Sequence, residues 1–399
     1  MTNGPAPASQ PKRKRRWSFV VTALVLGIVS GLVVVEFAFR LFWTLPPWFA
    51  EFQQAGMYVP TADGDIALQP GYRGTLRVDV ETTVAINSLG MRGPECASKQ
   101  SGERRLLMLG DSMVWGYGVQ AEQALPARIE VELRAAGLPV MVGNGGVPAY
   151  GSKHAVAHMA RLDEPFGADA FVVCGCLGND ALDDTNPERT VYAGLMLQGV
   201  WARLVGTSFR ARLMYRSRAA LWVESWLATN CVDASLMARL PWSAEELALT
   251  AGLPKDRTHA GLFLDVIDEA TTWVDGAAPV IPRLLGILRT SLQRAKEVAG
   301  RRLVVFLVLP TSWQVIEPKR RAHLQELGFD PPLFERGLAQ HRWRTVAREL
   351  GMPCFDATPI LAAEPDPEQL FISDGGHLSV RGHEVVGKWF ATELAPLLR

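Results

Sequence analysis

The stretch Leu106-Leu107-Met108-Leu109-Gly110-Asp111-Ser112 restricts the possible folds more than any other. Four apolar residues in a row, stopped by a glycine, read as a short strand buried on both faces. Runs of this kind recur at Val140-Met141-Val142, at Ala170 to Cys176, at Leu303 to Leu309 before Pro310, and at Cys354-Phe355-Asp356. Helical patterns separate them. Leu125, Ile129 and Leu133 recur at four-residue spacing behind Pro126, and helices are expected over Ser152 to Leu162 and Glu384 to Leu398. The alternation predicts a three-layer α/β/α domain with a mainly parallel five-stranded sheet covered on both faces. In an open sheet of that type ligands sit beyond the carboxyl ends of the strands.

The residues closing those strands therefore carry the search for chemistry. Ser112 follows the first strand. After the second comes Gly143-Asn144-Gly145-Gly146-Val147-Pro148-Ala149-Tyr150-Gly151, which reads as a loop too rich in glycine for a regular element. The third strand ends in Gly178-Asn179-Asp180, and near the carboxyl terminus stands Asp374-Gly375-Gly376-His377. A serine hydroxyl needs a base to take its proton as it attacks, and an imidazole suits that task near neutral pH. A carboxylate must hold the imidazole in the right tautomer. Backbone N–H groups and an amide can stabilise charge building on a carbonyl oxygen, each worth about 3 kcal/mol of barrier.

Taken together and in this order, the blocks resemble those of the SGNH (GDSL-type) hydrolases, over about Arg104 to Leu398. The resemblance implies an SGNH/flavodoxin-like fold and an esterase with no metal or cofactor. It makes Ser112 the nucleophile and one oxyanion N–H donor, Asn179 a side-chain donor, His377 the base and Asp374 its orienting acid. Ala149 falls where the family has its oxyanion glycine. It still offers an N–H, but a φ above zero there would strain an alanine, leaving Gly151 as substitute or the site weakened.

Other groups read differently. His383 rivals His377 as the base, but the last helix is expected to carry it away from the crevice. Asp180, Asp183 and Asp184 read as a solvated acidic loop. His154 and His158, four apart with no carboxylate between them, read as an ordinary helix face; no metal site is expected.

Ahead of this domain, five consecutive basic residues (Lys12 to Arg16) precede Trp17 to Val35, an uncharged apolar run of about the length that crosses a bilayer. Aromatic residues flank it and Pro46-Pro47 ends it. The run exceeds a usual signal-peptide core and no Ala-x-Ala-like site follows, so an uncleaved anchor is expected. The organisation is then a basic cytoplasmic tail (1–16), a transmembrane anchor (17–43), an extracytoplasmic lead-in (44–103) and a hydrolase domain (104–399). In the lead-in, Asn87 to Gly93 is expected to pack against the sheet edge. An insertion of about residues 190–278 is expected to be helical, serving as a lid, as a surface resting on the bilayer, or as plain packing. Five scattered cysteines give no disulfide framework. With 41 basic and 41 acidic residues, nucleic acid is not an expected partner. The expected function is a membrane-anchored serine esterase acting on small or acetyl esters. The alternatives are an O-acetyltransferase or deacetylase of cell-surface polysaccharide with the same residues, and an inert glycan-binding or scaffold domain.

Overall fold

The computed structural model describes residues 13–45, 53–185, 188–240, 280–326 and 330–399. They form two compact units, one within Met1–Leu45 and Ser208–Leu236, the other within Pro46–Thr207 and Met237–Arg399.

The larger unit is built on five strands: β1 (Arg104–Gly110), β2 (Val140–Gly146), β3 (Ala170–Cys176), β4 (Leu303–Leu309) and β5 (Cys354–Asp356). All neighbours pair in parallel, in the spatial order β2-β1-β3-β4-β5. Five helices cover the sheet: α1 (Leu125–Ala135), α2 (Ser152–Phe166), α3 (Val280–Ala299), α4 (Leu338–Glu349) and α5 (Val380–Leu398). Alternate strand residues face opposite layers. Leu106, Met108, Val172, Val305 and Leu307 pack with Ile129 and Leu133 of α1 and with Phe390 and Leu394 of α5. Leu107, Leu109, Phe171, Val173 and Phe306 pack with Met159 and Leu162 of α2, Leu292 of α3 and Trp343 of α4. Each side chain so buried contributes about 2 kcal/mol. The expected fold class is the observed one. Because β1 lies between β2 and β3, the chain reverses direction across the sheet at β1, and the crevice opens there.

Two local expectations differ from the structure. The glycines after Val142 do not begin a loop; β2 continues to Gly146, which pairs with Gly110. Glycine is needed there for close approach: a Cβ on Gly143 would lie 2.8 Å from the Phe166 ring, and one on Gly146 2.3 Å from the Trp115 backbone nitrogen. The segment after residue 188 is not helical throughout. It opens with an antiparallel hairpin, Arg189–Tyr192 with Leu195–Gln198. Its turn uses Ala193 (φ 52°) and Gly194 (φ 81°), the two left-handed residues of a tight hairpin turn. Helices follow over Gly199–Thr207, Phe209–Met214 and Arg218–Asn230, as expected; residues 241–278 of the expected insertion lie outside the described residues, as does 1–12 of the basic tail. The lead-in, in turn, is structured. Two hairpins, Tyr58–Pro60 with Ile66–Leu68 and Arg73–Arg77 with Glu81–Ala85, bury Met57, Leu76, Val84 and Ile86 against Trp115, Val147 and Tyr150. They thereby support the turns that leave β1 and β2.

In the smaller unit, Arg13–Phe42 is one helix whose Trp17–Phe42 portion is long and apolar enough to cross a membrane. Two shorter helices, Phe209–Met214 and Arg218–Asn230, belong to the same unit. All five cysteines are free.

Candidate active site

β1 ends at Gly110, and Asp111 turns the chain into the short helix Ser112–Trp115. The Asp111 carboxylate caps that helix by accepting the Met113 N–H at 2.9 Å. Gly116, at φ 89°, closes it. Ser112 is thus the first helical residue after β1, and it is buried, at 8% exposure.

His377 reaches Ser112 from a sequence distance of 265 residues. Its Nε2 lies 2.7 Å from the Ser112 Oγ. Its Nδ1 lies 2.6 Å from the Asp374 Oδ2, while the Asp374 Oδ1 accepts the backbone N–H groups of Gly376 (2.8 Å) and His377 (3.0 Å). Burial pushes the Asp374 carboxyl up, but these hydrogen bonds and the nearby imidazole outweigh it, and the net shift is downward. An ionised Asp374 accepts only, so Nδ1 carries the imidazole hydrogen and Nε2 is free to accept from the serine hydroxyl. Tyr117 stacks on the His377 ring at 4.5 Å and fixes its plane.

The loop carrying His377 is tied on two sides. Ser312, after β4, donates its N–H to the Gly375 carbonyl at 2.9 Å. Ser373 donates its N–H at 2.8 Å to Asp79, in the second lead-in hairpin turn. The Asn87–Gly93 segment also does more than cover the sheet edge. Arg92 is buried and donates to the carbonyls of Trp115 (2.9 Å), Gly116 and Val119 (2.6 Å), with its guanidinium 4.1 Å above the Trp115 ring. Burial lowers the Arg92 pKa to about 10. Its charge sits at the carboxyl end of the Ser112 helix, where freed carbonyls need donors. Sequence reasoning passed over both Arg92 and Asp79. No local pattern marks a contact made across 23 or 294 residues.

Ala149 follows β2 with φ 61°, in the left-handed region. Arg189 of the hairpin donates to its carbonyl at 2.7 Å and helps hold that conformation. The Gly151 N–H points at the His154 Nδ1 (3.4 Å), and a Cβ at Gly151 would strike Asp184. Asn179, after β3, gives one amide hydrogen to Asp183 (2.7 Å), and Gln198 of the hairpin donates to the other Asp183 oxygen (2.6 Å). Ser112, Ala149 and Asn179 therefore stand at the carboxyl ends of three adjacent strands.

The acidic group is not a solvated loop. Asp180, Asp183 and Asp184 are all buried. Asp180 accepts the Cys176 N–H, and Asp184 accepts from Ser152 and the Lys153 backbone. Burial raises all three pKa values, that of Asp184 to about 6. Asp111 rises to about 6 for the same reason, opposed by its hydrogen bond from Met113. Among the described residues no group of three or more His, Cys, Asp or Glu side chains could hold a metal ion. His154 and His158 are buried against Tyr150. His383 is buried within α5, and burial lowers its pKa to about 3.

No family model matches the chain, and no curated protein matches it. Solved structures similar to it include a lipase/acylhydrolase from Enterococcus faecalis (12% identity, 74% of this chain and 96% of that one, TM-score 0.39). A psychrotrophic esterase from Pseudoalteromonas sp. (9%, 74% and 98%, 0.36) and an acetylxylan esterase from Geobacillus stearothermophilus (12%, 73% and 94%, 0.34) are others.

Proposed function

We propose that the chain is a membrane-anchored serine esterase of the SGNH (GDSL) type, with Ser112, His377 and Asp374 as its catalytic residues. The observation that carries this reading is the unbroken chain of short contacts from the Ser112 hydroxyl through both nitrogens of His377 to Asp374. As the Ser112 Oγ attacks the ester carbonyl, its proton passes to the His377 Nε2 and the imidazolium is stabilised by Asp374. The carbonyl oxygen becomes an oxyanion, received by the N–H groups of Ser112 and Ala149 and the amide of Asn179. Collapse breaks the ester bond. The leaving alcohol takes the proton from His377, and the acyl group stays on Ser112. Water, deprotonated by His377, then releases the acid and restores the hydroxyl. The apolar helix supplies the anchor, and the basic residues before it keep the amino terminus in the cytoplasm with the hydrolase outside.

Hydrolysis of a short-chain aryl ester by the detergent-solubilised full chain tests the reading. Ser112→Ala and His377→Ala should each lower kcat by about 10³-fold or more, with the folded content unchanged. Equal rates in wild type and Ser112→Ala would remove the proposed nucleophile.

A further inference from the structure

We propose that the helices Phe209–Met214 and Arg218–Asn230 lie in the lipid–water interface, with Phe209, Leu213, Trp222, Val223 and Trp226 set against the acyl chains. The proposal rests on the reading of Arg13–Phe42 as a membrane anchor.

Two observations carry it. The first is a second apolar face, left exposed beside the one that buries Ala211, Met214 and Leu221. Glu224 is buried, accepting from the Arg210 side chain and the Leu236 N–H, while Phe209 is 72% exposed, Val223 46% and Trp226 47%. A helix bathed in water buries its apolar stripe and exposes its charges. Here Trp222 and Trp226, one turn apart, share an exposed face with Val223, and Phe209 and Leu213 repeat that spacing on the preceding helix. Such a face suits a bilayer surface, where an amphipathic helix buries its apolar side and tryptophans favour the headgroup level.

The second observation is where these helices are fastened. Glu36, near the carboxyl end of the long apolar helix, accepts from the Ser217 hydroxyl (2.7 Å) and from the N–H groups of Arg218 (3.1 Å) and Ala219 (3.2 Å). A carboxylate on the apolar helix thus caps the amino end of Arg218–Asn230. Arg40 reaches the Arg216 carbonyl (3.1 Å), Arg218 reaches that of Trp43 (3.3 Å), and Phe39 meets Trp222 at 5.4 Å. These contacts fix the amphipathic pair at the level where the anchor leaves the hydrocarbon. There Phe37, Leu41 and Phe42 are also exposed. Lipid is the one apolar medium that the anchor itself must bring to this height.

The test uses the full chain in vesicles, with Cys231→Ser removing the exposed thiol and leaving only buried or half-buried ones. An environment-sensitive fluorophore is attached in separate samples at Val223→Cys and at Leu26→Cys. Quenching is compared between vesicles of lipids brominated near the headgroup end of the acyl chain and near its methyl end. The probe at 223 should lose about half its fluorescence to the shallow bromines and much less to the deep ones, and the probe at 26 the reverse. If the probe at 26 is quenched and that at 223 is not, the anchor stands and the proposal is overturned. The face is then covered by protein and not by lipid. If neither probe is quenched, the anchor reading fails and takes the proposal with it.

Discussion

At the scale of single residues, Ala149 holds the one conformation near the site that its side chain resists. A φ of 61° costs an alanine about 1 kcal/mol relative to glycine, and Ala149→Gly relieves that while keeping the N–H in place. Chemical denaturation of Ala149→Gly should give an unfolding free energy about 0.5–1 kcal/mol higher than wild type, with kcat on an aryl ester retained. A loss of stability would mean that the turn is not strained. Ser112, Asn179, Asp374 and His377 could be picked out in the sequence because each closes a strand or sits in a short glycine-bounded loop. Asp180, Asp183 and Asp184 could not be read correctly. Three acids within five positions look solvated, and only the tertiary packing of Ser152, Gln198 and the β3 terminus shows that they are enclosed.

At the scale of elements, the site depends on pieces outside the sheet. The lead-in hairpins carry Asp79 to the His377 loop, and the segment after them places Arg92 on the Ser112 helix. Arg92→Met would remove one donor from each of three buried carbonyls; that of Trp115 keeps the Asn144 amide (3.2 Å) and that of Gly116 the Val119 N–H (3.3 Å), while that of Val119 loses its donor. Thermal unfolding of the variant should report a loss of about 2 kcal/mol, from the unpaired carbonyl and the lost contact with the Trp115 ring; a loss below about 0.5 kcal/mol would show that the clamp is dispensable. The sequence displayed the lead-in's alternation at Leu76 to Ile86 but not its role, since alternation says which face is buried and not against what. The hairpin at Arg189–Gln198 carried a signal that was missed: two β-prone runs separated by Ala193-Gly194, a fitting two-residue turn. The glycines of β2 misled for the opposite reason. They look like loop residues, yet they serve the close approach of Phe166 and Trp115.

At the scale of the whole molecule, apolar runs alone revealed the three layers, because only a parallel sheet covered on both faces buries five such strands. Strand order was not legible, since it depends on contacts between distant segments. The same burial stores a pH dependence. Folding raises Asp111 from an ordinary 3.8 to about 6, so the native state holds the proton more tightly than the unfolded chain. That contribution favours the fold fully below about pH 4 and is lost as pH rises through about 6. Asp111→Asn keeps a side-chain oxygen for the Met113 cap and removes the buried charge. Above about pH 7 it should be more stable than wild type by up to about 3 kcal/mol, the difference vanishing below about pH 4. Denaturant titrations across that range check it, and a constant difference at all pH values would refute the electrostatic origin. The central claim, that Ser112 is an activated nucleophile, is met most directly by treating the full chain with a fluorophosphonate and mapping the adduct by mass spectrometry. A single modified serine is expected, Ser112, whose labelling disappears in His377→Ala. An adduct on any other serine, or labelling of Ser112 that persists without His377, would contradict it.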